Sequence, residues 1–286
     1  MKTKILILGV SGMLGNAIFR YFSLNNLFDT YGSVRTLESV SVLVKGGAKN
    51  LISNVDVLNS DDLIDLFEKI RPNIVINCVG LVKQLSSVED PLVALPLNSL
   101  LPHKLAKLCA LINARLVHFS TDCVFSGDRG LYKESDFADA RDLYGRSKFL
   151  GEVDYSHAIT LRTSIIGHEL NGSKSLLCWF LSQSGSIEGF RKAIFSGLPT
   201  IEIAKIVEQY VIPNPQIKGI YHLSAEPINK FDLLNLVADQ YAKNIEIVPN
   251  IVFEINRSLD SSKFQMDTGF RPKPWKKMIE EMYDFK

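Results

Sequence analysis

The sequence predicts an α/β fold of the Rossmann type, a doubly wound parallel sheet followed by a smaller C-terminal lobe. Three observations predict it. An aliphatic run at residues 4–8 (KILIL) enters a glycine-spaced turn, GVSGMLG, and then a helix-forming stretch. Aliphatic runs then alternate with helix-forming stretches to about residue 166, the rhythm of consecutive strand–helix–strand units. Beyond Gly167 that rhythm changes. The expected division is a dinucleotide-binding domain over residues 1–166 and a substrate-binding lobe over 167–286, which need not be contiguous in the chain.

The elements follow in order. Residues 4–8 read as a buried parallel strand, and residues 13–22 as the helix after the glycine turn. A second strand is expected at 30–34, with Arg35 at its end. A third is expected at 50–57 (NLISNVDV), ending near Asp56. Ser60 then caps a helix whose first turn carries Asp61 and Asp62. Residues 73–78 (NIVINC) form a fourth strand that runs into Val79 and Gly80. Residues 91–111 are mainly helical, broken by Pro96 and Pro102. A fifth strand at 115–120 leads into Ser120, Thr121 and Asp122, then a charged loop at 127–141 precedes the helix bearing Tyr144. A sixth strand is expected at 158–166.

In the second half, 173–185 reads as helical and 184–196 as undecided. Residues 200–210 form a helix capped by Thr200, and 219–223 a strand. Residues 229–241 form a capped helix, 245–249 a strand, and 276–284 a final helix after Pro272, Pro274 and Trp275. This half is expected to lie over the carboxyl edge of the sheet and close a substrate cleft, with Trp179 and Trp275 packed inside it.

Composition narrows the function. The 286 residues are 46% hydrophobic and 22% charged, as in an ordinary soluble globular protein. A formal charge of +1 lacks the basic excess of a nucleic-acid binder. No apolar run nears the roughly 18 residues of a membrane span. The opening MKTKILILGV imitates a leader, but its apolar run stops at Gly9 and reads better as a strand. Cys78, Cys109, Cys123 and Cys178 are scattered, so reduced thiols, a cytoplasmic location and no metal site are expected. A monomer and a homodimer are equally compatible with this sequence.

In open parallel sheets ligands bind beyond the carboxyl ends of the strands. That rule gathers the glycine turn, Val79–Gly80, Thr121–Asp122 and the Tyr144 helix. GxxGxxG after a strand suits a pyrophosphate at a helix start. An Arg at position 35 offers a fork to a 2′-phosphate, which favours NADP(H) over NAD(H), against the plainer reading of a solvated surface residue. Tyr144 and Lys148 stand four apart on a helix and share one face, and an ammonium beside a phenol eases its loss of a proton. A proton donor to a carbonyl is the reading. His118 reads as a satisfied core histidine, and Cys123 as a packing residue.

With these residues the chain resembles the extended short-chain dehydrogenase/reductase superfamily, and within it the dTDP-4-dehydrorhamnose reductase family. The resemblance rests on GVSGMLG (9–15), STDCVFSG (120–127), YGRSK (144–148) and LRTS (161–164). Weaker echoes are SGLPT (196–200), GIYHLS (219–224) and RSLDSSK (257–263). It implies that Tyr144 donates the proton, that Lys148 tunes it and binds the nicotinamide ribose, and that Thr121 holds the substrate carbonyl oxygen. It places Gly9, Ser11, Gly12, Met13, Leu14 and Gly15 at the cofactor, with Arg35 and Asp56 toward the adenosine. Val79 and Gly80 would border the ribose, and Val57 and Cys78 complete the cofactor set. Asp122 and Cys123 would face the sugar. Arg257, otherwise a surface salt-bridge residue, would meet the nucleotide diphosphate.

Two positions depart from the family pattern. Cys123 stands where an aromatic is common, and Ile165 where Trp is usual, so the sugar pocket is expected to differ. The implied activity is NADPH-dependent reduction of a nucleotide-activated 4-keto-6-deoxy sugar. One alternative is an epimerase or dehydratase of the same superfamily, although Cys123 replaces the Glu that dehydratases use as base. Another is a non-catalytic NADP-binding regulatory subunit like the β subunit of methionine adenosyltransferase.

Overall fold

In the computed structural model, which describes residues 2–81 and 86–286, the chain starts with β1 (Thr3–Leu8). Ile5, Leu6, Ile7 and Leu8 are wholly buried, as a strand covered on both faces requires. Next come α1 (Met13–Ser23), β2 (Phe28–Ser33), α2 (Ser41–Lys45), β3 (Leu51–Ile52), α3 (Ser60–Ile70) and β4 (Ile74–Asn77). After α4 (Pro91–Ala94) the helix widens into a π-helical stretch, Leu95–Leu100, and resumes as α5 (Leu101–Leu111). Then follow β5 (Arg115–Thr121), α6 (Leu143–Leu150), β6 (Ala158–Thr163) and β7 (Ile165–Ile166). The remainder is α7 (Leu176–Ser182), β8 (Ser186–Phe195), β9 (Leu198–Pro199), α8 (Thr200–Ile206), β10 (Gly219–His222), β11 (Ile228–Asn229), α9 (Lys230–Gln240), β12 (Glu246–Asn256), α10 (Ser262–Thr268) and α11 (Trp275–Asp284).

Seven strands form one sheet in the order β10-β6-β5-β4-β1-β2-β3. β1 pairs in parallel with both β2 and β4, so the strand order reverses at β1. This reversal is the switch point at which open α/β sheets take ligands. On one face Leu6 and Leu8 pack with Leu63, Leu66 and Phe67 of α3 and Leu105 of α5. By strand alternation Ile5 and Ile7 point to the other face. On α1, Phe19 lies against Gly32 of β2 so closely that an added Cβ would come within 2.8 Å of its ring.

Two compact units can be distinguished. The first comprises Met1–Ser120, Arg141–Leu161 and Pro215–Ile220; the second comprises Thr121–Ala140, Arg162–Asn214 and Tyr221–Lys286. The second unit contains a three-stranded sheet, β11-β8-β12, and the pair β7-β9. In it, Val124, Phe125, Tyr132 and Leu259 form a separate buried cluster. Among the described residues no helix is long and apolar enough to cross a membrane.

Several sequence expectations need correction. The third strand covers only Leu51 and Ile52, because Asn50 and Asn54 adopt φ of 59° and 60° and end the extended run. Asn59, not Ser60, caps α3, its side chain accepting from the Asp61 amide. Thr200 is the first residue of α8 rather than its cap. Residues 158–166 are not one strand: β6 ends at Thr163, and Ile165–Ile166 pair with β9 instead. The undecided stretch 184–196 holds the ten-residue β8, and the strand expected at 245–249 extends to Asn256. Trp275 is buried, its indole donating to the Glu226 carbonyl at 2.7 Å, whereas Trp179 is over a third exposed.

Candidate active site

The turn after β1 is shaped by what glycine lacks. Gly9 takes φ +84°, and a Cβ there would lie 3.0 Å from the Val79 side chain. A Cβ on Gly15 would lie 2.2 Å from the Gly9 carbonyl oxygen, so α1 approaches the turn closer than any other residue allows. Gly12 donates to the Gly9 carbonyl at 3.0 Å and precedes α1 with no side-chain cap. The first amides of α1 thus lack a side-chain acceptor, as an anion site at a helix start requires. Ser11 is exposed at the tip, Met13 half-buried and Leu14 buried. The Asn16 side-chain oxygen, one turn into α1, is buried without a partner. An uncapped helix start over a Cβ-free turn fits a dinucleotide pyrophosphate.

Arg35 and Asp56 come from neighbouring segments beyond β2 and β3. The Asn54 amide donates to the Arg35 carbonyl at 3.1 Å, and the Val55 amide to Val34 at 3.3 Å. Arg35 is exposed. Asp56 is exposed too, but one carboxylate oxygen accepts the Leu58 amide at 3.0 Å and so belongs to the turn. Val57 packs against the core below them.

The helix α6 is capped by Asp142, whose carboxylate accepts from the Gly145 amide at 2.7 Å. Tyr144 is half-buried and Lys148 buried. The Lys148 ammonium donates to the Phe119 carbonyl of β5 at 2.7 Å. Burial lowers its pKa to about 8, against the opposing charges of Glu152 and Cys78. A Cβ on Gly80 would stand 3.6 Å from the same ammonium. Burial also pushes the Cys78 thiol up, opposed by Lys148. The ends of β4 and β5 and the middle of α6 therefore converge on Lys148.

Asn98, in the π-helical stretch, supports that convergence. Its side-chain oxygen accepts the Leu81 amide at 3.0 Å, and its nitrogen donates to Ser147 Oγ at 3.1 Å. Ser99 Oγ donates to the Ser147 carbonyl at 2.8 Å. Gly151 ends α6 against the Asn98 carbonyl, where a Cβ would come within 1.9 Å. Widened helical turns of this kind recur at functional sites. His118 is a core residue, as expected, but not a satisfied one: Asn77 meets Nδ1 at 3.1 Å, and Nε2 has no partner. Burial, with the Lys148 charge adding to it, keeps this imidazole neutral.

In the second unit, Thr121 begins a short 3-10 turn, Asp122–Val124. Its hydroxyl donates to Asp122 Oδ1 at 3.2 Å and accepts from the Cys123 amide at 3.1 Å. Burial raises the Asp122 pKa, and Arg257 and hydrogen bonds from Thr121, Cys123 and Ser164 oppose it. Cys123 itself is half-buried. Arg257 is half-buried and donates through Nε to the Phe125 carbonyl at 2.8 Å, so the surface ion-pair reading does not hold. The Phe125 ring stacks on Tyr132 at 4.2 Å. Arg162 donates to His222 Nε2 at 3.2 Å, so Nδ1 carries the proton and donates to the Tyr132 carbonyl at 2.9 Å. Burial lowers the Lys230 pKa, with the charges of Asp122 and Cys123 opposing and Arg257 reinforcing the shift.

The expected residues thus fall into two groups. The glycine turn, Arg35, Asp56, Cys78, Val79, Gly80, Tyr144 and Lys148 belong to the first unit, and Thr121, Asp122, Cys123 and Arg257 to the second. Asn98 carries no family motif and looks ordinary in the sequence. Its signal is a lone Asn inside the apolar run LPLNSLLP.

A family model described as the RmlD substrate binding domain matches residues 3–285. A dTDP-4-dehydrorhamnose reductase from Aggregatibacter actinomycetemcomitans is 24% identical over 304 residues, covering 98% of each chain. Methionine adenosyltransferase 2 subunit beta from Xenopus laevis is 26% identical, covering 97% of this chain and 80% of that protein. Among solved structures, dTDP-4-dehydrorhamnose reductase from Bacillus anthracis str. Ames in complex with NADP superposes with a TM-score of 0.82 at 20% identity, covering all of both chains. UDP-glucose 4-epimerase from Thermus thermophilus, in complex with NAD, gives 0.77 at 18% identity, covering 99% of this chain and 98% of that one.

Proposed function

We propose, since this chain belongs to the RmlD substrate binding domain family, that it is an NADPH-dependent reductase of a nucleotide-activated 4-keto-6-deoxy sugar. The observation that carries this reading is Lys148, buried on the same helix as Tyr144 and held at the ends of β4 and β5. Burying a charged ammonium is costly, and a site that accepts the cost beside a phenol is suited to proton transfer. An NADP complex is known for the Bacillus anthracis relative, which together with Arg35 favours the phosphorylated cofactor.

When bound, the nicotinamide supplies the hydride. The chain's own residues then supply orientation and the proton. Tyr144 gives its hydroxyl proton to the oxygen of the carbonyl being reduced. Lys148 stabilises the phenolate left behind and bonds to the ribose. Thr121 holds the carbonyl oxygen through its hydroxyl, and Asp122 and Cys123 face the sugar. Gly9 to Gly15 take the pyrophosphate, while Arg35, Asp56 and Val57 lie toward the adenosine. Cys78, Val79 and Gly80 border the ribose, and Arg257 meets the substrate diphosphate.

The test is incubation with NADPH and a panel of dTDP-, UDP-, GDP- and CDP-linked 4-keto sugars, followed at the nicotinamide absorbance band. Stoichiometric loss of NADPH with one of them is expected. Conversion of a sugar without cofactor consumption would point to epimerisation or dehydration instead. The likeness to methionine adenosyltransferase 2 subunit beta favours a second reading, an NADP-binding regulatory subunit. NADPH binding with no turnover on any sugar would support it.

A further inference from the structure

In the second unit one phenol organises the loop that holds Arg257. Tyr132 is buried, its ring stacked on Phe125 at 4.2 Å with 8° between the planes. Its hydroxyl accepts the amides of Gly127, Asp128 and Arg129 at 3.1, 3.0 and 3.4 Å, which closes the turn after Phe125. Two carbonyls of that turn hold Arg257. The Phe125 carbonyl accepts its Nε at 2.8 Å, and the Gly127 carbonyl accepts the amide of the preceding Asn256 at 2.8 Å. Beyond Arg257, the Tyr132 amide donates to the Ser258 carbonyl at 2.9 Å, and the Tyr132 carbonyl accepts the Asp260 amide at 2.8 Å. Both chain neighbours of Arg257 are thus fixed to a single loop, and that loop closes on one hydroxyl. Gly127 allows the contact: at φ +94° it is bare where a Cβ would press on Arg257 Cγ at 3.0 Å.

We propose that Tyr132 is a positioning residue for Arg257, setting its guanidinium for the diphosphate of a nucleotide sugar before that substrate binds. The role rests on the nucleotide-sugar reading above. An arginine loses rotamer freedom when it grips an oxyanion, and a guanidinium held beforehand loses less. Nε is the atom held, so both terminal nitrogens keep their N–H donors. Among the described residues Arg257 makes no other hydrogen bond. That end of the planar fork matches two oxygens of a phosphate. The Tyr132 hydroxyl is engaged by its own loop, so its part is support for Arg257. Phenylalanine in its place keeps the stack on Phe125 but leaves the buried Gly127 amide without its acceptor. That loss loosens the turn whose carbonyls fix Arg257 and Asn256.

Calorimetry on wild type, Tyr132→Phe, Arg257→Ala and the double variant tests this, with dTDP, UDP, GDP and CDP as probes. For the diphosphate that wild type binds, Arg257→Ala should weaken binding about tenfold or more, the scale of one charge-assisted hydrogen bond. Tyr132→Phe should weaken it about three- to fivefold, since the guanidinium remains but is no longer held. In the Arg257→Ala background, Tyr132→Phe should change affinity less than about 1.5-fold, because the two residues act through one contact. Each variant should melt in one cooperative transition with NADPH affinity unchanged, which verifies the fold. A Tyr132→Phe loss that persists in full in the Arg257→Ala background marks a merely structural residue and overturns the proposal. Unchanged diphosphate affinity in either single variant also overturns it, while leaving the reductase reading intact. A wild type that reduces no keto sugar and binds no nucleoside diphosphate overturns both.

Discussion

The Lys148 ammonium donates to the carbonyl of Phe119 at 2.7 Å, so α6 is fastened to β5 by the same side chain that stands four residues beyond Tyr144. The bond fixes the height of the helix against the strand. It also keeps a charge in a place where water cannot solvate it. Both consequences can be measured.

The first prediction concerns pH. Burial lowers the Lys148 pKa to about 8, while an unfolded lysine titrates near 10.4. Between those values the unfolded chain binds more protons than the folded one, so stability rises with pH across that window. Below pH 8 the folded state carries the full cost of the buried charge, and above about 10.4 it carries none. A shift of this size corresponds to about 3 kcal/mol. Denaturant unfolding of wild type and Lys148→Met should therefore show wild type gaining about that much relative to the variant from pH 7 to 10.5. Parallel stability curves would mean that the ammonium is not buried at a cost.

Removal of the Tyr144 hydroxyl separates chemistry from cofactor binding. Tyr144→Phe keeps the ring that fills half-buried space on α6 and loses the hydroxyl with its proton. Turnover should fall at least about 100-fold, the usual scale for loss of a general acid. NADPH affinity, measured by fluorescence titration, should stay within about twofold, because no phosphate contact is touched. Unchanged turnover would remove Tyr144 from the mechanism.

On the proposed reading, Arg35 holds the 2′-phosphate and so sets the cofactor preference. It is exposed beyond β2, and its backbone is held by the Asn54 amide, so replacing the side chain should leave the fold unaffected. Arg35→Ala should weaken NADPH binding about tenfold, the scale of a lost charge-assisted contact, and NADH binding much less. Equal losses for the two cofactors would show that no 2′-phosphate is held there.

Much of this was readable from local pattern. The strand of β1, its glycine turn and α1 are contiguous, so periodicity and turn chemistry disclose them directly. The third strand reads longer than it is because Leu51, Ile52, Val55 and Val57 resemble one extended run, while Asn54 turns left-handed in their midst. β8 was not readable for a different reason: Glu188, Arg191 and Lys192 interrupt its apolar residues, and its partner β12 begins some sixty residues later. Pairing of that range leaves no local trace. Asn98 was hidden by its apolar neighbours.

The glycine turn offers a last test, because two of its residues should fail in different ways. An alanine at Gly15 would put its Cβ 2.2 Å from the Gly9 carbonyl oxygen, which is backbone and cannot swing aside. Gly15→Ala should lose about 3 kcal/mol or more of stability, as forced overpacking does, and its loss of NADPH binding would then be secondary. Gly12 is different. It adopts φ −83° and ψ 160°, which any residue tolerates, and an added Cβ meets nothing nearer than the Gly9 oxygen at 3.4 Å. Gly12→Ala should therefore unfold within about 1 kcal/mol of wild type. Yet Gly12 is the uncapped start of α1, and on the proposed reading the pyrophosphate approaches its bare backbone, so a methyl group there would stand in the way. NADPH binding should weaken by about tenfold or more in a protein of nearly normal stability. A Gly12→Ala protein that binds NADPH as wild type does would show that the pyrophosphate does not lie against this turn.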